Sequence, residues 1–145
     1  MLDVMLTMAL LGVVSADSKT SDDAMKKELK QFQGKWAAAV MIDNGKPVDE
    51  KMRKATTLIV DGNKFVLKDD DKVILEGTFK IDPLKKPKSI DATVSFGANK
   101  DVVVLGIYQI DGDVRKSCFA DADKTRPDRF RKEEGFLYLE WKRIK

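Results

Sequence analysis

The sequence predicts an all-β fold, an antiparallel up-and-down β-barrel of about eight strands preceded by a short N-terminal helix, and three observations predict it. Beyond residue 34 apolar side chains recur at every second position in short segments, the period of half-buried strands. Those segments are joined by tight turn signals such as Asp61-Gly62-Asn63, Asp69-Asp70-Asp71 and Asp111-Gly112, which order them as successive hairpins. No stretch between them has the length and period of a crossover helix, so a parallel sheet is not expected. Closing such a meander into a barrel removes its free edges. A two-sheet sandwich, which buries the same alternating face, is the alternative.

The elements follow in order. Residues 4–14 (VMLTMALLGVV) form an apolar run that ends at Val14-Ser15-Ala16, a small-residue cleavage site before Asp17. Residues 1–16 therefore read as a secretory signal peptide. A short buried helix or an interfacial anchor is the competing reading, since Asp3 and no Lys or Arg precedes the run. Residues 17–30 are a polar linker leading into a short helix, in which Met25, Leu29 and Phe32 share a stripe and Ser21 is placed to cap the start. The barrel domain covers residues 31–145. At Gly34 the period changes to two: Trp36, Ala38, Val40 and Ile42 share one face, and Lys35, Ala37, Ala39 and Met41 the other.

Residues 48–55 (VDEKMRKA) suit one or two helical turns between strands. Residues 56–60 and 64–68 form a hairpin that turns Phe65 and Leu67 to one side. Next, Val73, Leu75, Gly77, Phe79 and Ile81 alternate along a strand, and Ile90, Ala92, Val94 and Phe96 along another. Residues 101–110 and 114–120 make a further hairpin around Asp111-Gly112. Phe130 is expected in a short strand, and residues 136–144 (FLYLEWKRI) close the domain with Leu137, Leu139 and Trp141 on one face.

Charge and composition exclude several functions. The 27 Lys and Arg against 24 Asp and Glu give a net +3; loss of residues 1–16 would remove only Asp3, leaving 27 − 23 = +4. These charges are interspersed, with no basic stripe interleaved with aromatics, so nucleic acid is not an expected partner. Once the apolar leader is removed, no stable membrane insertion is expected. Cys118 is the single cysteine, so an internal disulfide is impossible. With no histidine to act as its base, Cys118 reads as a small buried hydrophobe rather than a nucleophile. Asp69-Asp70-Asp71 and Asp121-Ala122-Asp123 lack the ligand count of a cation loop, and the adjacent Glu133-Glu134 and Asp49-Glu50 carboxylates diverge. Neither a metal nor an organic cofactor is expected, and no catalytic constellation stands out.

Gly34-Lys35-Trp36 on the first strand, with Arg143 on the last, resembles the lipocalin arrangement, in which a basic side chain from near the C-terminus covers a first-strand Trp and closes one end of the barrel. Over residues 31–145 the chain resembles a bacterial family of exported lipocalin-like domains of unknown function. The likeness is carried by Gln33-Gly34-Lys35-Trp36, Asp61-Gly62-Asn63-Lys64-Phe65, Glu76-Gly77-Thr78-Phe79, Lys85-Lys86-Pro87-Lys88-Ser89-Ile90-Asp91, Leu105-Gly106-Ile107-Tyr108, Asp111-Gly112-Asp113 and Cys118-Phe119-Ala120. The resemblance implies a barrel, a periplasmic or secreted location, and Trp36 with Arg143 as the barrel-closing pair. It implies no activity.

Where the family pattern is apolar, this chain carries Arg115 and Ser117. A two-residue turn at Asp111-Gly112 would pair Ile110 with Asp113, Tyr108 with Arg115, Gly106 with Ser117 and Val104 with Phe119, all on one face. Arg115, Tyr108 and Ser117 would then hold an anionic headgroup inside the barrel, as fatty-acid-binding relatives of the lipocalins hold a carboxylate, with Trp36, Phe79, Phe119, Leu139 and Trp141 as cavity walls. A one-residue slip of register would instead turn Lys116 and Cys118 inward and leave Arg115 in solvent. Three functions compete: a monomeric binding protein for a small apolar or amphipathic, possibly anionic, ligand; a structural or interaction barrel with a filled interior that acts through its loops at the cell surface; and an enzyme built in a barrel cavity. A cavity of a few hundred Å³ separates the first from the second.

Overall fold

The computed structural model describes residues 22–145, so the expected signal peptide and the first part of the linker lie outside the described residues. Helix α1 covers residues 22–32. Strand β1 (Gly34–Asp43), the two-residue β2 (Lys46–Pro47), helix α2 (Glu50–Ala55) and strands β3 (Thr56–Asp61), β4 (Lys64–Asp69), β5 (Lys72–Asp82), β6 (Ser89–Gly97), β7 (Val103–Asp111), β8 (Val114–Ala120) and β9 (Phe136–Arg143) follow. Every pairing is antiparallel, and from β3 to β9 each strand pairs with the next. The pairing of β1 with both β3 and β9 closes an eight-stranded barrel, with β2 only a short extension beside β1.

The two ends of the barrel differ. At one end α1 lies across the opening and inserts Phe32, which is fully buried. Phe32 stacks on Phe79 with ring centroids 5.5 Å apart and meets Tyr108 edge-on at 4.9 Å. Trp36 and Arg143 are cross-strand partners here, and the guanidinium lies 4.2 Å from the Trp36 ring centroid. The expected barrel-closing pair is thus in contact. The same two side chains hold the helix: the Trp36 indole donates to the Phe32 carbonyl at 2.9 Å, and Arg143 donates to the carbonyls of Gln31 and Gln33. Carbonyls at the end of a helix lack internal partners and carry its negative pole, so an arginine is suited to both needs.

Three ladders contain β-bulges that break the simple alternation; in the β4–β5 ladder the shift between Leu67 and Lys68 leaves Ile74 without a partner and sets Val73 opposite Lys68. The β1–β9 ladder shifts register between Ala38 and Val40. Ala39 is the extra residue, so Trp36 and Ala38 face the core, and beyond the bulge Met41 does so in place of Val40 and Ile42. Val40 and Ile42 instead join Ile107, Cys118 and Tyr138 in a second cluster. The β5–β6 ladder shifts between Glu76 and Gly77, which leaves Ser95 unpaired and turns Phe96 out to solvent at 51 % exposure. Phe130 is in no strand; residues 121–135 run irregularly, and Phe130 packs edge-on to Tyr138 with centroids 6.1 Å apart.

Two glycines permit the packing of the wall. Phe65 pairs with Gly77 and Phe119 with Gly106, and a Cβ on either glycine would stand within 2.6 Å of its partner's ring. Each ring lies over the bare backbone opposite it.

Because Trp36 is wholly buried and also holds α1, Trp36→Ala is expected to cost about 3–5 kcal/mol. Urea unfolding followed by circular dichroism measures it, and a shift below about 1 kcal/mol would remove Trp36 from the core.

Candidate functional site

The barrel interior contains a cavity of about 440 Å³. Its walls are side chains that alternate inward along the strands: Leu58 and Val60, Phe65 and Leu67, Leu75 and Phe79, Ile90, Ala92 and Val94, Val104, Phe119, and Leu137, Leu139 and Trp141. Met41 enters this set because of the β1 bulge. At the end away from α1 the lining includes Asp43, Asn99, Val102, Asp121 and Ala122, which mark the mouth. Towards α1 it reaches Arg115 and Ser117.

The β7–β8 hairpin differs from the expected pairing. Asp111 pairs with Val114, so Gly112 and Asp113 form the turn, Ile110 stands opposite Arg115, Tyr108 opposite Ser117 and Gly106 opposite Phe119. Gly112 takes φ 60°, the left-handed conformation that the first position of such a turn favours. The β3–β4 hairpin is built the same way, with Asp61 opposite Lys64 and Gly62 at φ 63°. Relative to the expected register the partner of each residue moves by two positions. An even shift preserves faces, so Arg115, Ser117 and Tyr108 do point inward. Lys116 is only partly buried and pairs with Gln109 and Glu140, while Cys118 is buried in the second cluster.

Not all of the expected residues meet at the cavity. Phe79, Phe119, Leu139, Trp141, Arg115 and Ser117 line it. Trp36 and Tyr108 lie in the layer beneath and are not on its lining. The Tyr108 hydroxyl donates to Glu28 of α1 at 2.9 Å, and the same Glu28 oxygen accepts from Lys88 at 2.6 Å. Tyr108 is therefore committed to holding the helix, and burial together with the Glu28 carboxylate raises its pKa well above the usual phenol value. The expected trio reduces to a pair.

That pair is left open by the protein. Arg115 retains 6 % of its surface and Ser117 none, yet among the described residues Arg115 Nε and Nη1 and Ser117 Oγ have no hydrogen-bond partner. The guanidinium rests over the Phe32 ring, 4.6 Å from its centroid. Burial pushes its pKa down to about 10, so it stays protonated at neutral pH. No local pattern connects Phe32 to Arg115, although the i, i+7 spacing of Met25 and Phe32 puts Phe32 on the apolar stripe of the helix.

Elsewhere, Asp69, Asp70 and Asp71 are exposed in a turn, and no group of three or more potential metal-ligating side chains occurs among the described residues. The Cys118 thiol is fully buried, lies 3.6 Å from the Arg131 carbonyl, and is pushed up in pKa by burial.

Replacing a buried unpaired cation by an apolar side chain is neutral or favourable, so Arg115→Leu should leave stability unchanged or raise it by up to about 4 kcal/mol in urea unfolding. An aqueous disulfide reagent at pH 8 should modify Cys118 only after denaturant is added. Comparison of the chain with protein-family models, curated proteins and solved structures finds no match.

Proposed function

We propose that this protein binds a small apolar or amphipathic ligand inside its barrel. The observation that carries the reading is the cavity of about 440 Å³, whose volume lies in the range of small-molecule sites and whose walls are mostly apolar with a few polar groups at their ends. A barrel built only as a scaffold gains by filling its interior, because empty apolar space forfeits dispersion contacts. Here the rings of Phe65 and Phe119 lie against glycines in the wall, and the interior stays open. Binding is the role these walls support: among the described residues, the polar groups of the lining offer a guanidinium and a hydroxyl that can hold a ligand.

We also propose that the protein works outside the cytoplasm. The support is the apolar run at residues 4–14 ending in Val14-Ser15-Ala16, together with the resemblance to exported lipocalin-like domains.

An apolar fluorophore that brightens in low polarity should saturate at one site per chain. Ala92 faces the cavity, so Ala92→Phe should fill part of it and weaken the dye by about tenfold or more while the protein remains folded. Dye binding that is unchanged by this substitution would place the dye elsewhere. N-terminal sequencing of the protein from its native host should begin at or near Asp17, and recovery of the intact chain from cytosol would overturn export.

A further inference from the structure

The chemistry of the cavity's inner end defines a ligand class, given that the interior is a ligand site. Among the described residues, Arg115 is the only cation on the cavity lining and no carboxylate is paired with it. The one titratable group that acts on it is Tyr108, whose hydroxyl is already donated to Glu28. A protonated guanidinium held this deep without a counter-ion is costly, and Ser117, two residues along the same strand face, adds a second unpartnered group. Stacking on Phe32 engages a face of the guanidinium and leaves its rim, where the N–H groups point, for hydrogen bonding.

We infer that the inner end of the cavity, at Arg115 and Ser117, receives the carboxylate of a singly charged, single-headed amphiphile, which enters head first and leaves its uncharged tail along the apolar wall towards the mouth. A planar carboxylate matches the fork of a guanidinium, and its one charge balances the one cation. A phosphate monoester would bring a second negative charge to a place with no second cation. The other end of the cavity has the opposite character. Asp43 and Asp121 line the mouth, and at about 3.3 Å per residue the strand path from Arg115 to Asp121 is roughly 20 Å. The walls between are Leu58, Phe79, Ile90, Val104 and Leu139. A second carboxylate on the ligand would have to stop among these side chains or beside two carboxylates. The site therefore selects monocarboxylates over dicarboxylates of equal chain length.

Calorimetric titration of the barrel protein with decanoate, decanol and decanedioate tests this, with the apolar fluorophore as a neutral probe of the cavity. Decanoate should bind about 30-fold or more tightly than decanol, and decanedioate should be weaker than decanoate by a similar factor. Arg115→Leu should abolish the preference for decanoate over decanol and retain the fluorophore. If that variant does not fold, Arg115→Gln supplies the same comparison, and the three ligands on the unaltered protein decide alone. Fluorophore binding with equal affinities for decanoate and decanol would overturn the carboxylate assignment and leave the cavity as a site for neutral ligands. Equal affinities for decanoate and decanedioate would overturn the head-first arrangement. Failure of every ligand, fluorophore included, would overturn the ligand-binding reading itself.

Discussion

The hydrogen bonds that tie the last turn of α1 to the first and last strands govern the rest of the molecule. Trp36 and Arg143 satisfy the carbonyls of Gln31, Phe32 and Gln33, and they belong to the two strands whose pairing closes the barrel. One cluster of contacts therefore seals the sheet, ends the helix and fixes the helix over the opening. Phe32 is placed under Arg115 and Phe79 only because that helix is held. A barrel with the same strands and no such anchor would be open at both ends.

The buried polar groups fall into two sets with different physical outcomes. Glu28, Lys88 and Tyr108 satisfy one another across the helix–barrel junction, where a carboxylate accepts from an ammonium and a phenol. Arg126 likewise donates to the carbonyls of Ile90 and Gly106 and pairs with Asp91, pinning the loop after β8 to β6 and β7. Arg115 and Ser117 are not treated this way: among the described residues, Arg115 Nε and Nη1 and Ser117 Oγ have no hydrogen-bond partner. Folding leaves most buried polar atoms paired, and this charged exception facing the cavity is what supports the proposed ligand site.

Much of this was legible in the residue pattern, and the parts that were not share a cause. Period-two alternation and the Asp-Gly turns marked the hairpins, and the inward face of β9 followed from Leu137, Leu139 and Trp141. The bulges at Ala39 and Ser95 left no trace, because Val40, Ile42 and Phe96 are as apolar as the residues that do face inward. A single inserted position reverses a face without changing composition. The β7–β8 register was misplaced by two positions because Asp111-Gly112-Asp113 offers two places for a two-residue turn, and the glycine occupies the first position of the turn rather than the second. The inward direction of Arg115 survived that error by parity. Tyr108 was placed on the correct face and assigned the wrong partner, since Glu28 lies 80 residues away in the chain and no local pattern connects them.

The inner end of the cavity is lined by Arg115 of the sheet, but the ring beneath that guanidinium is Phe32 of the helix, which separates two properties that most barrels couple. Perimeter depends on strand number and stagger and is locked into the ladder of backbone hydrogen bonds. The seating of Arg115 depends on the side chain at position 32, whose backbone is held by α1 and by the Trp36 indole whatever that side chain is. Sequence drift at this one position can change the support under the buried guanidinium while every strand register stays as it is, so the character of the cavity's inner end can evolve without renegotiating the fold.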